Sequence, residues 1–143
     1  MATLNTQLKA HSVAIGHKRL EGDVVLPRKA KGLVIFAHGS GSSRFSPRNT
    51  HVAHELEVRG LGTLLLDLLT EREAYDRQNV FDIPLLAGRM VEAVRFARSD
   101  TELSSLRIGL FGASTGAAAA LVAAAQLPQE IAVFESFRPA RLR

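Results

Sequence analysis

Apolar residues recur along the chain in two rhythms. Short unbroken runs at Leu33 to Ala37 (LVIFA), Gly62 to Leu66 (GTLLL) and Ile108 to Phe111 (IGLF) have the length of strands, and a strand covered on both faces needs that continuity. Between them lie segments with helical spacing. In Asp82 to Arg98 the residues Leu85, Leu86, Met90, Val91, Val94 and Ala97 fall on one side of a helix. Ser46-Pro47 opens an earlier helix, with the serine at N-cap and the proline at the first helical position. Val52, Ala53, Leu56 and Val58 form its apolar side, and Gly60 closes it. Residues 11 to 26 predict two short strands with a turn near Gly16, the second ended by Pro27. Residues 70–79 (TEREAYDRQN) are charged and predict a loop, and Ile131 to Phe134 predicts a last strand. Strands alternating with helices predict an α/β fold with a doubly wound, mostly parallel sheet. At 143 residues, 1–143 is one domain large enough to bury a core.

The most informative stretch is Leu106 to Ala125, LRIGLFGASTGAAAALVAAA. An apolar strand stops at Gly112-Ala113-Ser114-Thr115-Gly116, and an alanine-rich helix follows at once. In this setting G-x-S-x-G is a nucleophile elbow, a sharp turn that lifts the serine hydroxyl off the end of a sheet. The crowded positions two residues either side of the serine admit only very small residues, which Gly112 and Gly116 supply. The following helix points its positive end at Ser114. A Gly/Ser turn without chemistry is the plain alternative.

Composition narrows the function classes. The chain has no cysteine, so it has neither a disulfide nor a thiolate metal site, and the cytoplasm is the expected location. Its longest apolar run, Ala117 to Ala125, is too short to cross a membrane, and the N-terminus lacks the apolar core of a signal peptide. The net charge of +4 is spread along the chain except for Arg138, Arg141 and Arg143, which argues against nucleic acid as a partner. His38-Gly39-Ser40-Gly41-Ser42-Ser43-Arg44 follows a predicted strand but lacks the G-K-[ST] of a phosphate loop and the third glycine of a dinucleotide site. No cofactor and no metal are expected. His51 and His54 share a helix face without a third ligand.

FAHGSGSSRFSPRN, TLLLDLLT and GLFGASTGAAAALVAAA together resemble the dienelactone-hydrolase-like branch of the α/β-hydrolases, and in particular serine-type domains fused behind a phosphoribosyltransferase. The resemblance runs from about Leu20 to Ala125. One departure is Ser114, where the type dienelactone hydrolase has cysteine. The resemblance implies a hydrolase of small carboxylic esters or lactones, with a phosphoribosyltransferase as fused or neighbouring partner in relatives. In such a fold the oxyanion hole takes one backbone N–H from the residue after the nucleophile, here Thr115, and one from the loop after the third strand, here Ser40. Ser114 is then the nucleophile.

A serine nucleophile needs a base, and in this fold the order is Ser, then Asp or Glu, then His. No histidine follows Ser114, and the acids after it, Glu130 and Glu135, lie too close to the elbow. His38 is the earlier histidine nearest the site, and a loop-ordering role is the commoner one there. Asp67 at a strand end is read as a loop anchor, a substrate contact or a turn cap. Arg44 is read as a partner for a substrate carboxylate or as an ordinary surface arginine. The chain thus reads as the N-terminal part of an α/β-hydrolase lacking the last two strands, with residues 135–143 (ESFRPARLR) a non-native or disordered tail. A catalytically inactive truncated remnant or binding module is the alternative to an enzyme.

Overall fold

The structure, a computed structural model, describes residues 8–136. Six strands form one sheet: β1 (Leu8–Ile15), β2 (Leu20–Pro27), β3 (Leu33–Ala37), β4 (Gly62–Leu66), β5 (Ile108–Gly112) and β6 (Ile131–Ser136), in the order β1-β2-β4-β3-β5-β6. The β1–β2 and β2–β4 pairings are antiparallel, and β4–β3, β3–β5 and β5–β6 are parallel. The helices are α1 (Pro47–Val58), α2 (Glu71–Ala74), α3 (Arg77–Val80), α4 (Ile83–Ser99) and α5 (Thr115–Gln126).

The central strands are apolar apart from Thr63 because each face meets a different layer. Leu33, Ile35 and Ala37 of β3, with Leu64, Leu66, Ile108 and Leu110, join the larger core with Met90, Val94, Ala119 and Ala123 of α4 and α5. Phe36 and Leu65 point the other way, onto Ala53 of α1. Phe36 and Phe111 stack there at 5.2 Å between ring centroids, a tilted pair that contributes about 1 kcal/mol beyond its burial. Small residues on α5 let it approach the sheet, as the alanine run requires: Gly116, Ala119, Ala120 and Ala123 are all buried.

Three expectations need correction. The charged segment 70–79 is two short helices, not a loop. Thr70 and Glu73 form a reciprocal capping box on α2, and the Asp76 carboxylate accepts from the Gln78 N–H on α3. On α1, Val52, Ala53 and Leu56 pack on the core as expected, but Asn49 and Glu57 are buried with them and Val58 is exposed. Glu57 tolerates burial because Thr63 Oγ1 donates to its Oε2 at 2.7 Å. The last strand continues past Phe134 to Ser136, so Glu135 and Ser136 belong to the sheet. The rest of the expected tail, 137–143, lies outside the described residues.

Candidate active site

Ser114 stands between β5 and α5 with φ 57° and ψ −131°. A non-glycine residue with that φ costs on the order of 1–3 kcal/mol unless its surroundings impose it. Here they do. A Cβ on Gly112 would lie 2.4 Å from the carbonyl oxygen of Gly116, and one on Gly116 would lie 2.3 Å from that of Ala37. The turn therefore closes only with glycine at both positions. Ser114 occupies the N-cap position of α5, yet its side chain makes no capping hydrogen bond, and the residue is exposed. Its hydroxyl is left free of the helix it begins.

The segment 38–44 at the end of β3 packs directly against this turn. A Cβ on Gly39 would sit 3.1 Å from Ser114 Cβ and 3.7 Å from its Oγ. His38 organises the segment. The Leu68 N–H donates to His38 Nε2 at 2.9 Å, so Nε2 is the unprotonated nitrogen and Nδ1 carries the hydrogen. Nδ1–H then donates to the Gly39 carbonyl at 3.0 Å, and the Ser42 N–H reaches the same oxygen at 3.2 Å. The Gly39–Ser40 peptide is trans, so its C=O and the Ser40 N–H point in opposite directions. Two donors fixing the Gly39 oxygen thereby fix the Ser40 amide as well. Burial pushes the His38 pKa below its ordinary value, against the opposing pull of the Gly39 carbonyl and of Asp67. One ring nitrogen is thus used within the loop and the other ties it to the exit of β4.

Among the described residues the amides of Ser40 and Thr115 donate no hydrogen bond. For Thr115 this follows from its place as first residue of α5, where no ladder partner exists. Both residues line a cleft of about 730 Å³ together with Gly39, Asp67, Leu69 and Thr70. Ser114 is next to two of these lining residues, Gly39 and Thr115. A cleft beside a free hydroxyl and two unpaired amides suits attack on a carbonyl and capture of the oxygen charge that develops.

The cleft also holds residues whose roles the sequence did not resolve. Arg44 is neither an ordinary surface arginine nor a free cation: its side chain is 15% exposed and bonded to three carboxylates. Asp67 accepts from the Arg44 N–H at 2.8 Å and from its guanidinium at 2.5 Å, so it is a loop anchor. Asp23 and Glu21 take the guanidinium's other contacts at 3.0 and 3.3 Å. Arg89, which the sequence reading passed over, is buried in α4 and forks onto Glu73 while also donating to the Leu68 carbonyl at 3.2 Å. Its signal was a charged residue between Leu86 and Met90 on an apolar stripe, which requires a partner. His51 and His54 are exposed on α1, and no group of three or more metal-ligating side chains occurs among the described residues. No described histidine is hydrogen-bonded to Ser114.

No protein-family model matches the chain. Two proteins of Mycobacterium tuberculosis, from strains CDC 1551 and H37Rv and provisionally named phosphoribosyl transferases, are 51% identical over 113 residues, covering 79% of this chain and 26% of theirs. A solved dienelactone hydrolase from Anabaena variabilis is 48% identical with a TM-score of 0.85, over 92% of this chain and 62% of that one. A dienelactone hydrolase-like promiscuous phosphotriesterase from metagenomic libraries shares the fold at 15% identity with a TM-score of 0.71, over 91% of this chain and 59% of that one. The chain therefore spans about a quarter of the curated relatives and about three fifths of the solved dienelactone hydrolase. No helix among the described residues is long and apolar enough to cross a membrane. The strained serine turn, the facing glycine loop and the extent of the match to a solved dienelactone hydrolase lead to one assignment: the chain belongs to the α/β-hydrolases, on their dienelactone-hydrolase-like branch.

Proposed function

We propose that the chain carries the nucleophile and oxyanion half of a hydrolase acting on small carboxylic esters or lactones. Ser114 Oγ adds to the carbonyl carbon as its proton passes to solvent, while the Ser40 and Thr115 amides hold the oxyanion. Collapse of the tetrahedral intermediate breaks the bond from the acyl carbon to the leaving oxygen, which takes a proton from solvent to become the alcohol, and leaves an acyl-serine for water to cleave. The observation that carries this reading is the φ of 57° at Ser114, imposed by crossing glycines and aimed at the segment that bears Ser40. The catalytic base and acid are not assigned to this chain, since the one histidine in the cleft lining, His38, has committed its nitrogens to Gly39 and Leu68. That commitment favours a second reading, in which this part of the protein binds the acyl group without turning it over.

The test compares p-nitrophenyl acetate cleavage, with mass detection of an acyl adduct, in the wild type and in Ser114→Ala. An oxyanion site without a working triad retains a rate about 10³-fold over water with or without the serine, so the acyl adduct is the deciding readout: it should form on the wild type and be absent from the variant. Equal rates and no adduct would refute the first reading. The match to about a quarter of proteins named as phosphoribosyl transferases supports a phosphoribosyl transferase as fused or neighbouring partner.

A further inference from the structure

The segment 38–44 is held at both ends by two consecutive residues at the exit of β4. At one end the Leu68 N–H donates to His38 Nε2. At the other, both oxygens of Asp67 take Arg44, one through its backbone N–H and one through its guanidinium. In between, Gly41 has φ +70° and nothing within 4 Å of where a side chain would begin. The middle of the loop is therefore not packed into place, and its course depends on its anchors. Ser42 supplies the second donor onto the Gly39 carbonyl, and Ser42 is positioned by the chain that runs on to Arg44.

We propose that Asp67 and Arg44 are positioning residues for the oxyanion site. They hold the outgoing end of the 38–44 loop so that the Ser42 N–H stays on the Gly39 oxygen and the Ser40 N–H stays turned toward Ser114. Asp23 on Nε, and Glu21 sharing Nη1 with Asp67, keep the arginine from swinging away with the loop. Neither Asp67 nor Arg44 touches the reacting atoms in this scheme. The proposal rests on the function proposed above and adds to it the device that aims one of the two amides.

Phenylboronic acid separates the two ideas, because its boron takes the serine oxygen and becomes a tetrahedral anion while the hydroxyl proton leaves to buffer. Boron NMR and amide resonances are followed in the wild type, Ser114→Ala, Asp67→Asn and Arg44→Gln. Removing one oxyanion donor costs 10²- to 10³-fold, so misaiming one should weaken the boronate about tenfold. The expected result is that loss in both anchor variants, with the Ser40 amide resonance displaced, that of Thr115 unmoved and the melting midpoint close to wild type. Arg44→Lys, which keeps the backbone bond and the charge, should recover part of the affinity. No tetrahedral adduct in the wild type would overturn the proposed function itself. An adduct of equal strength in wild type and anchor variants would overturn only the positioning role. So would a loss that follows the melting midpoint and moves Thr115 as much as Ser40. Should Asp67→Asn fail to fold, the two Arg44 variants carry the same comparison.

Discussion

Gly116→Ala is the sharpest test of how the elbow is built. The new methyl would lie 2.3 Å from the Ala37 carbonyl oxygen and 2.6 Å from that of His38, about 1 Å inside ordinary contact with each. Both obstacles are backbone atoms where β3 passes into the 38–44 loop, so no rotamer change relieves the overlap. Overpacking of this kind costs about 1–3 kcal/mol, and a backbone obstacle puts it at the upper end. Alanine in the first turn of α5 returns at most about 1 kcal/mol in helix propensity. The net expectation is a loss of about 2 kcal/mol, or a melting midpoint lower by about 6 °C for a chain of this size. Gly88→Ala is the matched control. Gly88 lies inside α4, and a Cβ there meets nothing within 4 Å. That substitution should stabilise by about 0.5–1 kcal/mol. Urea unfolding of the three proteins, with an unchanged slope, measures both effects. If Gly116→Ala proved as stable as wild type, the close crossing of α5 over the end of β3 would be wrong, and the account of Ser114's backbone would fall with it.

Two further outcomes concern acid. The Arg89 guanidinium, bonded to Glu73, holds that carboxyl down to about 2 from an ordinary 4.5. Because the folded value is depressed, the pair's contribution is complete above pH 4.5 and is lost as the pH falls toward 2. Discounted for the solvent on one side of Glu73, it is worth about 1–2 kcal/mol. Glu73→Gln should remove that much at pH 7, and its difference in stability from wild type should shrink as the pH falls from 4.5 toward 2, as followed by urea titrations at stepped pH. For His38 the folded value is also lowered, so its contribution is full above the ordinary 6.5 and fades as the pH falls below it. Nitrogen shifts of the ring should show Nδ1 protonated at pH 7, and the Ser40 amide should move as the ring titrates. A ring with Nε2 protonated at neutral pH would contradict the hydrogen bond from Leu68.

What could be read from the sequence divides along a physical line. Steric demands leave local marks. Gly112 and Gly116 bracket Ser114 because nothing larger fits, and the unbroken runs of β3, β4 and β5 record burial on two faces. Pairings made only by the fold leave weaker marks. The capping box of Thr70 and Glu73 was present as T-x-x-E but was masked by the surrounding charge. Glu57 sits at a helical position indistinguishable from surface until Thr63 of β4 is set beside it. Arg44 shows nothing in its own neighbourhood of the three carboxylates, from β2 and the end of β4, that surround it.

The exit of β4 is where these unseen pairings meet. The Leu68 N–H serves His38 and so the loop that bears Ser40, while its carbonyl takes Arg89, which also forks onto Glu73. Asp67 beside it takes Arg44. One dipeptide is therefore bound from the 38–44 loop on one side and from α4 on the other. A change at Arg89, which makes no contact with Ser114, should reach the site by the same route: with its carbonyl unpartnered, Leu68 is freer to shift, and the amide that fixes the His38 tautomer shifts with it. The proposed half-site then depends on the Arg89–Glu73 pair between α4 and α2 as well as on its own glycines.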